Sequence, residues 1–305
     1  MRALGYHNLV KYWGGVPLRT EPTKSPADVA TLARATSAEV YAQILADLQK
    51  AQSLIKVQKS GLQISLGAIR ALRARVYLYQ QNWTGAEAEA NAVIAMGYAL
   101  APTYGALFTA EGTATSEDIL RIAFTPTESS SLSYYYLHKN AGGRREMGPT
   151  TSIRSAYEAG DDRRTYSISN IGTTFYVSKY PSIVGTEHLH VIRFGEVILI
   201  KAEAQARLGR LAEAITTVNA LRVRAKLPPL VFGTANLTSQ AQVLAAIEKE
   251  RRLELAFEGD RWPDLVRLGT VVQVMNLASK PGQALYPIPQ ADRDVSQGLE
   301  QNPGY

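Results

Sequence analysis

The chain has 305 residues, of which 46% are apolar, and it carries 33 lysine and arginine residues against 27 aspartate and glutamate residues. This apolar content predicts a sizeable buried core and excludes a disordered chain, while the length allows one large domain or two lobes. The absence of cysteine excludes disulfides and thiolate chemistry, and a net charge of +6 without a basic block argues against nucleic-acid binding.

The first residues predict an amphipathic helix, with Leu9, Val10 and Trp13 apolar and no N-cap before them. His7 and Lys11 interrupt the apolar stretch, so the segment does not have the pattern of a signal peptide. We therefore expect the sequence to begin inside a domain. No later run approaches the roughly 20 apolar residues of a membrane-spanning helix.

Three further helices are predicted before residue 100. Thr36 and Glu39 have the spacing of a capping box, and an apolar face follows at Val40, Ile44 and Leu48. A second helix carries Ile69, Leu72, Val76 and Tyr79 on one face, and a third runs from about Thr84 to Ala95.

Two helical pairs have the residue pattern of a tetratricopeptide unit, with small residues where the helices touch. The first spans residues 66–97, with Ala74 and Ala86 at the contact. The second runs from about 191 to 226, with Ala202 and Ala214 at the contact. Because contiguous repeats recur every ~34 residues, we interpret the pairs as an interrupted helical scaffold.

The region from Pro102 to His190 is rich in Gly, Ser, Thr and Tyr. Short runs such as "DILRIAF" and "TFYVSKY" have the content of strands. Tyr98, Tyr104 and Phe108, close behind a helix end, are predicted core residues. The region is far longer than a connection needs, which favours a functional, loop-rich insert with a few short strands.

After Pro229 another helix is predicted from about Thr238 to Glu258, followed by a dense run of charges. Every acid in this run has an arginine close by, which favours a structural ion network over a pair of catalytic carboxylates. The predicted network comprises Glu250, Arg251, Glu254, Glu258, Arg261, Asp264 and Arg267. Elsewhere, Asp161 to Arg164 are expected to neutralise one another, and Arg222, Arg224 and Lys226 to form a solvated helix end.

Six segments in register resemble the SusD/RagB family: "RALGYHNLVKYWGGVPL", "RATSAEVYAQILADLQKA", "RARVYLYQQNW", "VIRFGEVILIKAEAQARLG", "ERRLELAFEGDRWPDLVRLG" and the closing "LYPIP…QNPGY". The resemblance implies a mainly α fold in which tetratricopeptide-like pairs pack against a loop-rich ligand-binding part. It also implies an outer-membrane, cell-surface lipoprotein that binds oligosaccharide for nutrient uptake and partners a SusC-like TonB-dependent transporter. The family's signal peptide and lipid-bearing cysteine precede "RALGYHNLV" and are not in this sequence, so membrane contact is expected only through the parent's lipid anchor.

The sequence therefore predicts a single domain over 1–305 that lacks its N-terminal part. It comprises a helical scaffold over 1–100, a loop-rich ligand-binding region over 101–190, and a C-terminal helical scaffold with a tail over 191–305.

Candidate ligand contacts lie in the segment "SLSYYYLHKNAGGRREM". Sugar recognition needs flat apolar surfaces beside polar side chains that bond paired hydroxyls. The candidates for these roles are Tyr134, Tyr135, Tyr136, His138, Asn140 and Arg144. The alternative is a half-buried strand in which alternate tyrosines simply pack.

Two other functions stay open at this point: a peptide-binding tetratricopeptide-like scaffold and, less favoured, a glycoside hydrolase. We expect no enzyme activity and no cofactor. His188 and His190 would share one face of a strand, but two ligands without a third donor do not predict a metal site.

Overall fold

The computed structural model describes residues 1–25, 28, 33–234, 236–296 and 298–305. Helices dominate its regular structure, which confirms the mainly α prediction. Its α-helices are α1 (Arg2–Trp13), α2 (Ser37–Leu54), α3 (Leu66–Tyr79), α4 (Trp83–Ile94), α5 (Leu132–Tyr136), α6 (Thr151–Arg154), α7 (Asp162–Ser167), α8 (Phe194–Arg207), α9 (Leu211–Arg224), α10 (Gln240–Glu254), α11 (Arg261–Arg267), α12 (Val271–Val274) and α13 (Gln290–Val295). Its strands are β1 (Asp118–Ile122), β2 (Ile168–Ile171), β3 (Thr174–Val177) and β4 (Leu189–Arg193). Short 3₁₀ turns occupy Tyr104–Leu107, Lys139–Ala141 and Pro281–Ala284.

The chain forms two compact units, and the first comprises Met1–Leu54 and Asp260–Tyr305. In it α1 packs against α2. Thr36 and Glu39 form the predicted reciprocal cap, because the Glu39 carboxylate accepts from the Thr36 amide at 2.8 Å and the Thr36 hydroxyl accepts from the Glu39 amide at 3.3 Å. The buried Asn302 of the closing segment donates to the carbonyl of Trp13 at 3.0 Å. This bond joins the C-terminal tail to the end of α1.

The second unit, Ile55–Gly259, contains both predicted helical pairs. α3 packs on α4, α8 on α9, and α4 packs on α8, so the two pairs stack directly although the insert separates them in sequence. The predicted contact residues Ala74, Ala86, Ala202 and Ala214 are all fully buried. Alanine allows this approach because its short side chain lets helix backbones come close. α10 completes the layer against α8 and α9.

Two short antiparallel ladders form in and at the end of the insert, and in each of them one strand, β1 or β3, lies in a predicted strand run. β1 pairs with β4 across a bulge, and β2 pairs with β3 in a hairpin. Under them lies a small apolar cluster of Ala101, Tyr104, Leu107, Phe108 and Tyr180. Tyr104 and Phe108 are therefore core residues, as predicted, and Tyr98 is buried too.

The described helices include none that is long and apolar enough to cross a membrane.

Candidate functional site

Tyr134 and Tyr135 form an exposed aromatic pair on the insert. Both belong to the short helix α5, and their side chains are 47% and 36% exposed. Their rings meet edge to face with centroids 5.5 Å apart. The segment is helical, so the alternative of a half-buried strand is wrong. An exposed tyrosine pair offers flat apolar faces and phenolic hydroxyls to a ligand.

Tyr136, the third candidate, faces inward. Its ring stacks on buried Tyr180 with centroids 5.8 Å apart and an interplanar angle of 17°. Burial raises the pKa of Tyr136 above its usual value. The Tyr180 hydroxyl donates to the Phe257 carbonyl at 3.0 Å, which holds the Tyr180 ring in place. The stacking contact therefore fixes α5 against a buried residue. A direct ligand contact by Tyr136 stays a prediction.

A double-glycine turn brings the polar candidates back to the tyrosine pair. Gly142 has a φ of +87°, and a Cβ there would lie 2.8 Å from Ile183. A Cβ on Gly143 would lie 2.3 Å from the Leu137 carbonyl oxygen. Both positions therefore require glycine. The turn lets the backbone amide of Arg144 donate to the carbonyl of Tyr134 at 2.6 Å.

The polar side chains beside the pair can both donate and accept. His138 is half-buried, and its Nδ1 accepts from the Asn140 amide at 3.2 Å, which leaves the Nε2 side of the ring as the donor in the neutral form. The Asn140 side chain is exposed. Arg144 is also exposed and pairs with Glu146 at 2.8 Å. We call Tyr134, Tyr135, His138, Asn140 and Arg144 the tyrosine surface.

A buried cluster of charges lies in the same unit. At its centre Arg193, 1% exposed, donates to Glu117 at 2.7 Å, to Glu254 at 2.5 Å and to Glu258 at 2.9 Å. Glu254 also pairs with Arg224 and lies 3.7 Å from Arg163. The arrangement neutralises each buried charge with partners from distant parts of the chain.

The pKa values in this cluster follow from the balance of burial and pairing. Burial opposes ionisation of Glu254, but Arg224 and Arg193 outweigh it and hold the pKa of its carboxyl well below the usual range. The same balance with Arg193 and Lys179 lowers the pKa of Glu258 to about 2. For Lys179 burial is stronger than the attraction of Glu258, so its pKa falls to about 8. Both carboxylates are therefore ionised at neutral pH.

The predicted ion network includes residues of both units. Glu250, Arg251, Glu254 and Glu258 lie in the second unit and are nearly inaccessible, with Glu250 pairing with Arg163 at 2.8 Å. In the first unit Arg261 is half-buried, and Asp264 pairs with Arg267 at 2.7 Å within α11. That all seven act as one network stays a prediction.

The expectation of a solvated helix end is wrong for two of its three residues. Arg222 is buried, where it pairs with Glu250 at 2.5 Å, and Arg224 is buried beside Glu117 at 3.2 Å, so neither belongs to a solvated helix end. Arg163 pairs with Asp161 at 2.8 Å, as expected, but it also reaches Glu250. These long-range partners were missed because a position near a helix end gives no sign of burial.

The first unit contains a groove with a volume of about 480 Å³. Its walls are mainly aliphatic, with Trp13 on one side, and among the described residues only Asp292 and Ser296 add polar side chains. A sugar ring needs many hydrogen bonds for its hydroxyls, so this lining suits an oligosaccharide poorly.

One member of the histidine pair, His190, is held by protein contacts. His190 Nε2 lies 3.0 Å from the Leu107 carbonyl, and its Nδ1 lies 3.2 Å from Asp118. His188 lies just outside β4. The described residues contain no group of three or more His, Asp or Glu side chains placed to hold a metal ion.

Comparison with known proteins identifies the family. The sequence model described as "SusD family" matches residues 76–285, more than half of the chain. The chain belongs to the SusD family. A second model, described as "Starch-binding associating with outer membrane", matches residues 1–78 of this SusD-family protein.

Individual relatives cover nearly the whole chain. SusD-like protein P38 of Formosa agariphila is 28% identical over 90% of this chain and 66% of its own length. This SusD-family protein spans about two thirds of the length of the curated relatives it matches.

Solved structures share the fold. A SusD superfamily protein from Bacteroides vulgatus superposes with a TM-score of 0.89 at 22% identity, over 100% of this chain and 76% of that one. A laminarin binding SusD-like protein superposes with a TM-score of 0.81 at 28% identity, over 100% of this chain and 77% of that one.

Proposed function

We propose that this protein captures oligosaccharides at the bacterial cell surface through the tyrosine surface and performs no chemistry on them. The observation that carries the proposal is the exposed pair of Tyr134 and Tyr135, held beside His138, Asn140 and Arg144 by the double-glycine turn. Aromatic faces bury the C–H side of a sugar ring, while the neighbouring donors and acceptors satisfy its hydroxyls.

The comparisons support a glycan as the ligand class. The family model over residues 1–78 is described as starch-binding, and a structural neighbour at 28% identity is a laminarin binding protein. That neighbour shares the fold over the whole of this chain, which is consistent with a common ligand class. We extend the ligand class, and not the particular glucan, to this chain.

The electrostatics of Glu254 and Glu258 favour binding over hydrolysis at the buried charge cluster. A glycosidase needs one carboxylic acid with a raised pKa to protonate the leaving group. Glu254 and Glu258 instead have lowered pKa values and are held by Arg193. The side chains of both are also nearly inaccessible to solvent.

We also propose an outer-membrane location at the cell surface, with a lipid anchor as the attachment to the membrane. There it would pass the captured oligosaccharide to a SusC-like TonB-dependent transporter. The family description "associating with outer membrane" supports the location. Co-purification of the protein with such a transporter from outer membranes tests the partnership.

The binding proposal is tested by calorimetry with a panel of oligosaccharides, using the wild-type chain and the Tyr134→Ala and Tyr135→Ala variants. Burying one tyrosine face contributes on the order of 1.4 kcal/mol, so we expect each variant to bind about tenfold more weakly. Tyr305→Ala is the matched control, because Tyr305 is 49% exposed in the other unit. No binding across the panel, or equal losses with the control, would contradict the proposal.

A further inference from the structure

Resting on the proposed function, we infer that the oligosaccharide on the tyrosine surface is anionic and carries carboxylate or sulfate groups. The basis is the charge of the segment that borders the tyrosine pair. Lys139, Arg144 and Arg145 are all exposed there, against the single acid Glu146. Glu146 pairs with Arg144, so it neutralises one cation and leaves the others.

Of the cations in this segment, Arg145 is the one whose orientation best suits it to bind an anionic group. It is a non-glycine residue with a φ of +53°, a conformation that side chains rarely adopt and that costs conformational energy. Its Nε donates to the Phe175 carbonyl at 3.0 Å, which fixes the direction of the guanidinium. Within the described residues, neither Nη atom has an acceptor, and no carboxylate pairs with Arg145. The fork of the guanidinium is therefore free to take a planar anionic group.

A second guanidinium converges on the same strand residue. Arg154 lies over the ring of Phe175, with 4.1 Å between its central carbon and the ring centroid. Arg154 donates to the Thr151 hydroxyl at 2.8 Å, and within the described part of the chain it has no ion-pair partner. Phe175 is thus contacted by Arg145 at its carbonyl and by Arg154 at its ring. Two positive charges held near one residue favour an anion beside them.

The cations and the tyrosine pair share one local framework. The Arg144 amide donates to the Tyr134 carbonyl at 2.6 Å, and the Met147 amide donates to the Tyr135 carbonyl at 3.2 Å. Arg145 therefore lies on a backbone segment bonded to α5 on both sides. A sugar stacked on Tyr134 or Tyr135 would present its ring substituents to this segment, where a carboxylate or sulfate would meet a guanidinium.

Two ligand pairs separate the effect of ligand charge from that of the sugar chain. They are oligogalacturonate with its methyl ester, and dextran sulfate with dextran. Calorimetry at 50 mM and 500 mM salt uses wild type, Arg145→Gln and Tyr134→Ala. We expect one anionic member to bind at least tenfold tighter than its neutral partner, with a several-fold loss at high salt. We expect a five- to tenfold loss in Arg145→Gln. Which pair responds distinguishes carboxylate from sulfate.

Lys50→Gln is the control for general charge, since Lys50 is exposed on α2 of the other unit and should leave affinity unchanged. Loss of binding in Tyr134→Ala separates recognition on the tyrosine surface from ion exchange. Equal or tighter binding of the neutral members, or an undiminished Arg145→Gln, overturns the anionic inference and leaves glycan capture standing. If neither these pairs nor the neutral panel binds, both proposals fall.

Discussion

Glu254→Gln is the substitution that most directly tests whether the buried charge cluster holds the second unit together. Glu254 is fully buried and contacts Arg193 at 2.5 Å and Arg163 at 3.7 Å, besides its pair with Arg224. Glutamine has nearly the same shape but no charge. The change therefore leaves the packing in place and removes one negative charge from between arginines.

The expected loss is set by the cost of an uncompensated buried charge, about 3–5 kcal/mol for removing one partner of a buried pair. A domain is stabilised by only about 5–15 kcal/mol, so the variant should lose a large part of its stability. At roughly 2–4 °C per kcal/mol, the melting temperature should fall by roughly 6–20 °C.

Urea unfolding followed by circular dichroism measures this loss, with Glu111→Gln as the control because Glu111 is exposed. A double-mutant cycle with Arg224→Met should recover part of the stability, because the partner charge is removed too. The pKa of Glu254 is lowered, so its contribution is present above about pH 4.3 and is lost as pH falls. A loss below 1 kcal/mol at pH 7, or strict additivity in the cycle, would refute the reasoning.

Three further predictions concern the same unit and its controls. Gly195→Ala should destabilise the protein by about 1–3 kcal/mol in thermal unfolding, because a Cβ there would lie 2.6 Å from Arg193. Gly5→Ala is the control: its Cβ would meet open space in α1, so the change should be neutral or stabilising. The pKa of Lys179 is about 8 in the folded state, below its unfolded value, so between these values the unfolded chain binds more protons and stability rises with pH. Urea titrations should therefore show a gain in stability from pH 8 to 9.5 for the wild type and none for Lys179→Met. Tyr180→Leu removes the stacked support of Tyr136 and should weaken glycan binding as well as stability; unchanged affinity would show that α5 needs no such support.

The helical frame could be predicted from the sequence because its determinants are local. The spacing of Val40, Ile44 and Leu48 fixes the face of α2, and each of these residues is buried. The alanines at the helix contacts predicted the two helical pairs, because a small residue at a regular position indicates that two helices approach closely there. The 128-residue separation of Ala86 and Ala214 also indicated correctly that an insert interrupts the scaffold.

The candidate site was less predictable, because its features depend on contacts between distant residues. The tyrosine run predicted an aromatic surface, but only the fold shows that Tyr136 turns inward onto Tyr180. Arg145 was not singled out, since its orientation depends on a bond to Phe175, 30 residues away. A positive φ at a non-glycine residue has no sequence signal, and burial of Arg222 near a helix end has none either.

The stacking of the two helical pairs has a consequence for how the family diversifies. Because α4 and α8 touch, both ends of the insert are anchored by the same packed layer. Within the insert, residues such as Glu117 and Lys179 are tied to the charge cluster and are costly to exchange. The outer stretch 132–147 contacts Phe175, Tyr180 and Phe257, but among the described residues its ion pair is the internal one between Arg144 and Glu146. We expect relatives to change ligand by substitutions in that stretch and in the residues that contact it, while the helical scaffold stays the same.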